Sequence, residues 1–207
     1  MAHVTQFDRA DVTELEKQRK ALADRAEKQG AHLTITGIIA RVAVAALRKF
    51  PKFNASIDMD AQEVVYKDYI NLGIAVDTDR GLIVPNIKGA DGMNIIEMAQ
   101  RMAELADAAR EGKIKEKDIQ GGTFTITNLG SIGGTHFTPI VNWPEVAILG
   151  VGRAYEQPST DPTQGPRKIL PLSLSYDHRL IDGAEGIRFL RWIGQALEQP
   201  LITLLEG

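Results

Sequence analysis

"ILPLSLSYDHRLIDGAEGIRFLRWIG", residues 169–194, is the stretch that decides the fold. Leu170, Leu172, Leu174 and Tyr176 alternate with other residues, the two-residue period of a strand with one face buried. Ile187, Leu190, Ile193 and Leu197 then recur at helical spacing, so the strand hands over to a closing helix. Between the two periods lie Tyr176-Asp177-His178-Arg179, a second acid at Asp182, and a break at Gly183. Polar groups wedged between a buried strand and an apolar helix are costly unless they are used.

Upstream, residues 157–167, "QPSTDPTQGPR", hold three prolines and no apolar anchor, which reads as an exposed hairpin loop. "GGTFTITNLGSIGGTHFTPIVNWPEVAILGVGRAYE" alternates at its start and again over Val146–Val151, giving two strands joined by an irregular glycine-rich stretch. A helix is expected over about 94–112. "EVVYKDYINLGIAVDTDRGLIVPNI" reads as two or three strands with a turn at Asp79-Arg80-Gly81. Residues 11–29 read as a charged surface helix ended by Gly30. A more buried helix over about 36–50, capped by Thr36, stops at Phe50-Pro51 because proline disfavours helix in the residue before it. The mixture predicts one α/β domain, a two-layer sandwich with a mixed β-sheet.

Composition narrows the function classes. With 43% apolar and 25% charged residues the chain is neither disordered nor rich enough in apolar runs to span a bilayer. A net charge of −3 argues against nucleic acid and anionic membranes as partners. The absence of cysteine excludes disulfides and thiolate metal sites. The start "MAHVTQFDRADVTELEK" has no signal-peptide pattern, so a cytoplasmic location is expected. "HVTQFD" begins abruptly, as an N-terminally truncated segment would.

Three groups are candidates for chemistry. His178, at a strand end ahead of a glycine, can accept a proton from a weak acid near neutrality. The competing reading is a structural histidine bonded to a backbone carbonyl. Asp182 is either a plain turn aspartate or a residue that fixes local geometry, by an ion pair with Arg179 or a distant arginine or by orienting a group near the histidine. No metal is expected, because only His3, His32 and His136 remain as further histidine ligands. Thr125 and Thr127, on "TFTITNLGSIGGT" at 123–135, are either edge packing or fixed donors to a developing oxyanion. That stretch matches neither phosphate-loop spacing, and "GSIGG" is not a serine-hydrolase elbow.

"HVTQFDRADVTELEKQRK", "YINLGIAVDTDRGLIVPNIK", "GGTFTITNLGSIGGTHFTPIVNWPEVAILGVGR" and "LPLSLSYDHRLIDGAEGIRFL" together resemble the catalytic core of the dihydrolipoamide acyltransferases, the E2 components of 2-oxoacid dehydrogenase complexes. The resemblance covers essentially the whole chain, and its signature is D-H-R-x-x-D-G with F-T-I-[ST]-N-L-G. Within the family, "THFTPIVNWPEVAILG" is most similar to the acetyltransferases of pyruvate dehydrogenase complexes.

The resemblance implies a chloramphenicol-acetyltransferase-like fold, a homotrimer with its sites at subunit boundaries, and trimers that build an octahedral or icosahedral cage. It implies acetyl transfer between the thiols of dihydrolipoamide, carried on a lipoyl domain, and coenzyme A, with both as substrates and no permanently bound cofactor. His178 takes the position of the general base, Thr127 that of the oxyanion donor, and Asp182 a position held by Asp or Asn in relatives. E1 and E3 are the partners implied for the full-length protein. Residues 1–207 are expected to be the acyltransferase domain alone, without the lipoyl and peripheral-subunit-binding domains or the basic arm that usually precedes "HVTQFD". Two other readings stand beside this one: an antibiotic O-acetyltransferase of the same fold, which would carry His-His where this chain has Asp177-His178, and a non-catalytic scaffold core.

Overall fold

The computed structural model describes residues 1–206. In chain order its elements are β1 (His3–Asp11), α1 (Thr13–Glu27), α2 (Ile35–Lys49), β2 (Ala55–Asp58), β3 (Glu63–Tyr66), β4 (Leu72–Ile74), β5 (Val76–Thr78), β6 (Gly81–Ile83), β7 (Asn86–Ile87), α3 (Ile95–Arg110), α4 (Glu116–Ile119), β8 (Phe124–Asn128), β9 (Ala147–Val151), β10 (Tyr155–Gln157), β11 (Arg167–Asp177), α5 (Gly183–Glu198) and α6 (Ile202–Glu206).

Seven strands form the main sheet in the order β1-β11-β9-β8-β4-β7, with β10 also paired to β11. β8 runs parallel to both β4 and β9, and the other pairs are antiparallel, so the sheet is mixed. β2–β3 and β5–β6 are separate hairpins. Leu170, Leu172, Leu174 and Tyr176 of β11, with Phe124 and Ile126 of β8, enter the same core as Ile39, Val42 and Leu47 of α2 and Phe189, Leu190, Ile193 and Leu197 of α5. Burying one such side chain completely is worth about 1.5–3 kcal/mol. Phe189 stacks on Phe53 at 3.9 Å between ring centroids, locking α5 to the segment that follows α2.

The sheet's other face is polar. Thr125, Thr127, Ser173, Ser175 and Asp177 alternate with the core residues and are buried. The α/β fold with a mixed sheet predicted from the sequence is the one observed.

Several local expectations change. β1 is a full nine-residue strand that pairs with β11 along its whole length, from His3↔Asp177 to Asp11↔Ile169, where the sequence reading placed no strand. Its apolar positions are few because it lies at the sheet edge. The 63–87 region forms five short strands rather than two or three. Thr34, not Thr36, caps α2 by accepting from the Gly37 amide at 3.0 Å, while Thr36 accepts from Asn128 at 2.8 Å. Of the expected stripe α5 buries Leu190, Ile193 and Leu197, with Gly186, Phe189 and Ala196 beside them, while Ile187 is exposed.

Candidate active site

His178 follows the last residue of β11, and its side chain is exposed in the isolated chain. Its backbone is firmly held. The His178 amide donates to the Ala2 carbonyl at 2.7 Å, so the approach to β1 fixes the turn that carries the imidazole. Asp177, fully buried beside it, accepts from the Ala2 amide at 3.2 Å and from the Arg179 amide at 3.1 Å. The Arg179 guanidinium closes a two-pronged ion pair on the same carboxylate, through Nε at 3.0 Å and Nη2 at 2.6 Å. Burial alone would raise the Asp177 pKa, but Arg179 outweighs it and holds the carboxyl below its usual range. The pair clamps both sides of His178: one residue before and one residue after are tied to each other.

That pairing corrects one expectation. Arg179 is the partner of Asp177 rather than of Asp182. Asp182 instead caps α5: its side chain accepts from the Glu185 amide at 2.8 Å, and the Glu185 carboxylate accepts from the Asp182 amide at 3.2 Å. The Glu185 and Ala184 amides, with the charges of Lys52 and Arg188, hold the Asp182 carboxyl below its usual range. Lys52 extends the arrangement by pairing with Glu185 at 2.6 Å. Asp182 thus fixes where the helix begins, four residues after the imidazole.

Thr127 lies elsewhere. It sits near the C-terminal end of β8, 9% exposed, in the wall of a cleft of about 490 Å³ shared with Thr36, Met102, Ala106, Asn128 and Ile132. Asn128 anchors that wall by donating to Thr36 and accepting from the Gly130 amide at 2.8 Å. Thr125 is on the same face of β8 but fully buried, so of the two hydroxyls only Thr127 reaches a cleft. Thr127 pairs with Gly150, and Gly150 with Ser173, so His178 is five residues further along β11 and two strands across. The structure does not bring His178 and Thr127 of one chain together.

Sequence reasoning missed three contributors: the Asp177–Arg179 clamp, the Lys52–Glu185 support under Asp182, and β1 as the rail for His178. The last two join residues far apart in the chain, and the clamp depends on the burial of Asp177; only the capping box Asp182-x-x-Glu185 was legible as a motif. Among the described residues no group of three or more His, Asp or Glu side chains is placed to hold a metal ion. No helix among them is long and apolar enough to cross a membrane.

Comparison with known proteins follows the same lines. The chain is 53% identical over 196 residues to the dihydrolipoyllysine-residue acetyltransferase component of the pyruvate dehydrogenase complex of Cupriavidus necator, a match that covers 94% of this chain and 35% of that protein. It thus spans about a third of the length of that relative. Among solved structures it superposes with a TM-score of 0.92 and 46% identity on Azotobacter vinelandii dihydrolipoamide acetyltransferase, studied for the role of a serine, a histidine and an asparagine in its catalytic mechanism; the match covers 98% of this chain and 84% of that one. The cubic core of the pyruvate dehydrogenase multienzyme complex matches equally, with a TM-score of 0.92, 46% identity and the same coverage. A chloramphenicol acetyltransferase, 16% identical over 95% of this chain and 86% of its own, shares the fold with a TM-score of 0.62. The sequence profile of the 2-oxoacid dehydrogenases acyltransferase (catalytic domain) matches residues 1–205, and the chain belongs to that family.

Proposed function

We propose that the chain transfers an acetyl group between the thiols of dihydrolipoamide and coenzyme A, with His178 as general base, at sites completed by a neighbouring copy. The observation that carries the reading is a histidine whose backbone is fixed at a strand end and whose side chain is open to an incoming group, while the hydroxyl that would serve the oxyanion lies in a cleft at the far end of the sheet. A thiol with a pKa of about 8.5 is mostly protonated at neutral pH and attacks a thioester faster when an imidazole takes its proton. The attack turns the thioester carbonyl into an alkoxide. A hydroxyl such as that of Thr127 donates to this oxygen, and collapse of the intermediate expels the second thiolate, which recovers the proton from His178.

His178 and Thr127 belong to one reaction only if two chains face each other, and a trimer with head-to-tail boundaries supplies that pairing at each of its three boundaries. The histidine and asparagine named for the Azotobacter enzyme stand four residues apart, the spacing of His178 and Asp182 here. In the C-terminal segment Leu201, Leu204 and Leu205 are exposed, a surface suited to contacts between trimers in a cage. Lipoyl domains, E1 and E3 would be supplied by the rest of a full-length protein or by separate chains, and the setting is cytoplasmic. An antibiotic O-acetyltransferase is disfavoured by Asp177 before His178, and a purely structural core leaves the clamp around His178 without a purpose.

Incubating the chain with acetyl-CoA and free dihydrolipoamide tests the reading. Release of coenzyme A thiol, dependent on dihydrolipoamide and lost in His178→Ala, is expected. A trimer that gives no turnover under these conditions would leave the scaffold reading in its place.

A further inference from the structure

A second group of buried polar side chains lies beside the turn Asn142–Glu145. Glu145 is 1% exposed, Asn86 1% and Thr125 1%, and they converge on two glycines. A methyl group at Gly122 would lie 2.5 Å from Asn86 Oδ1 and 2.7 Å from Glu145 Oε1; one at Gly73 would lie 2.7 Å from Thr125 Oγ1 and 3.1 Å from Asn86 Oδ1. Only glycine lets the three side chains approach this closely. Asn86 Oδ1, Thr125 Oγ1 and Glu145 Oε2 have no hydrogen-bond partner among the described residues.

Counting protons shows what closes the cluster. The Asn86 amide nitrogen is committed to the Ile119 carbonyl, which turns its oxygen inward as an acceptor. Glu145 Oε1 accepts from Asn142 at 3.3 Å. If Glu145 is ionised, the Thr125 hydroxyl is the one donor for two unpartnered oxygens, Asn86 Oδ1 and Glu145 Oε2. If Glu145 carries a proton there are two donors for these acceptors, enough for a chain through all three residues. A buried acceptor left unpaired is expensive, so the protonated form fits the site.

We propose that Glu145 is a positioning residue for the acyl transfer: a neutral carboxylic acid that, with Asn86 and Thr125, ties the Asn142–Glu145 turn to β8 and so fixes the Thr127 hydroxyl two residues further along the same face. The inference rests on the role proposed for Thr127. Burial also pushes the Glu145 carboxyl up to about 7, with Thr125 and Asn142 acting in the opposite direction. Charged groups on the surrounding elements are otherwise engaged. The Lys88 ammonium is held on the Gln120 carbonyl, Asp118 pairs with Arg101 at 3.0 Å, and Asp177 pairs with Arg179. His3 accepts from the Val141 amide at 3.1 Å, and Asp77, Asp79 and Arg80 belong to the β5–β6 hairpin. None of these is among the groups that shift Glu145.

The experiment is a pH titration of the assembled protein labelled with ¹³C at its glutamate carboxyls. One carboxyl should titrate near neutrality, and Glu145→Gln should remove it. In that variant kcat is expected to stay within a few-fold of the parent at pH 6, with KM unchanged. The ratio of variant to parent kcat should then rise as pH passes about 7, because the amide cannot lose the proton that the acid loses. If every glutamate titrates below about pH 5.5, Glu145 is ionised, for instance by a cation from a neighbouring chain, and the proposal is overturned. A pH-independent ratio overturns the link to Thr127. Should Glu145→Gln fail to fold, the titration of the parent decides alone. It does so independently of catalysis, whereas full activity in His178→Ala would remove the functional reading and leave the titration standing.

Discussion

Thr127 and His178 lie at opposite ends of one sheet: the register Thr127↔Gly150↔Ser173 leaves His178 five residues further along β11 and two strands away. Strand spacing converts this to roughly 16 Å along the sheet and roughly 10 Å across it. No side-chain rotation spans that distance, so a reaction using both groups takes them from different chains.

Mixing two disabled variants tests this directly. His178→Ala and Thr127→Ala chains, unfolded and refolded together at equal concentration, give mixed trimers in about three-quarters of cases, each with one intact boundary of three. About a quarter of parental activity should return. Activity no higher than the mean of the two variants refolded separately, with mixed trimers confirmed by mass, would place both groups in one chain's site.

The single variants separate the two roles. His178→Ala should abolish transfer while leaving fold and oligomer intact, because the imidazole is exposed and only its backbone holds the turn. Thr127→Ala should lower kcat by about 10²–10³ with little change in KM, the usual cost of one oxyanion donor. A change confined to KM would make Thr127 a substrate contact instead.

Asp182 is read here as the residue that starts α5. Asp182→Ala is expected to lower the urea unfolding midpoint, and Asp182→Asn to recover most of the loss, since asparagine caps equally well. An alanine variant as stable as the parent, yet slow in catalysis, would shift the role of Asp182 from the helix to the substrate.

Arg179 keeps a buried carboxylate ionised, and its effect has a definite pH signature. Because the folded pKa of Asp177 is depressed, the pair's stabilisation is present above the unfolded carboxylate value, about 3.9, and is lost as pH falls through the folded one. The Tm difference between parent and Arg179→Ala should therefore be largest at pH 6–7 and shrink as pH falls below about 4. A difference constant down to pH 3 would mean that Arg179 acts by packing, through its contact with Met59 for example.

The 169–194 segment was legible because both of its periods are local. Alternation along β11 and the apolar spacing in α5 record which faces are buried, and the D-H-R-x-x-D-G pattern placed His178 at their junction. The family was legible for the same reason, since its motifs are short contiguous runs. Even there Ile187 was misjudged, because Gly186 rather than a large residue meets Tyr176. What tertiary structure alone decided are burial and pairings that the local sequence patterns leave open. β1 carries few apolar residues and becomes a strand because β11 offers it a full edge. Arg179 chose Asp177 over Asp182 because the carboxylate of Asp182 was taken by the helix N-terminus. Glu145, an ordinary acid in the sequence, is buried against Asn86 and Thr125, 59 and 20 positions earlier. Burial and strand pairing depend on the whole chain at once, and they set both the protonation suited to Glu145 and the distance between His178 and Thr127.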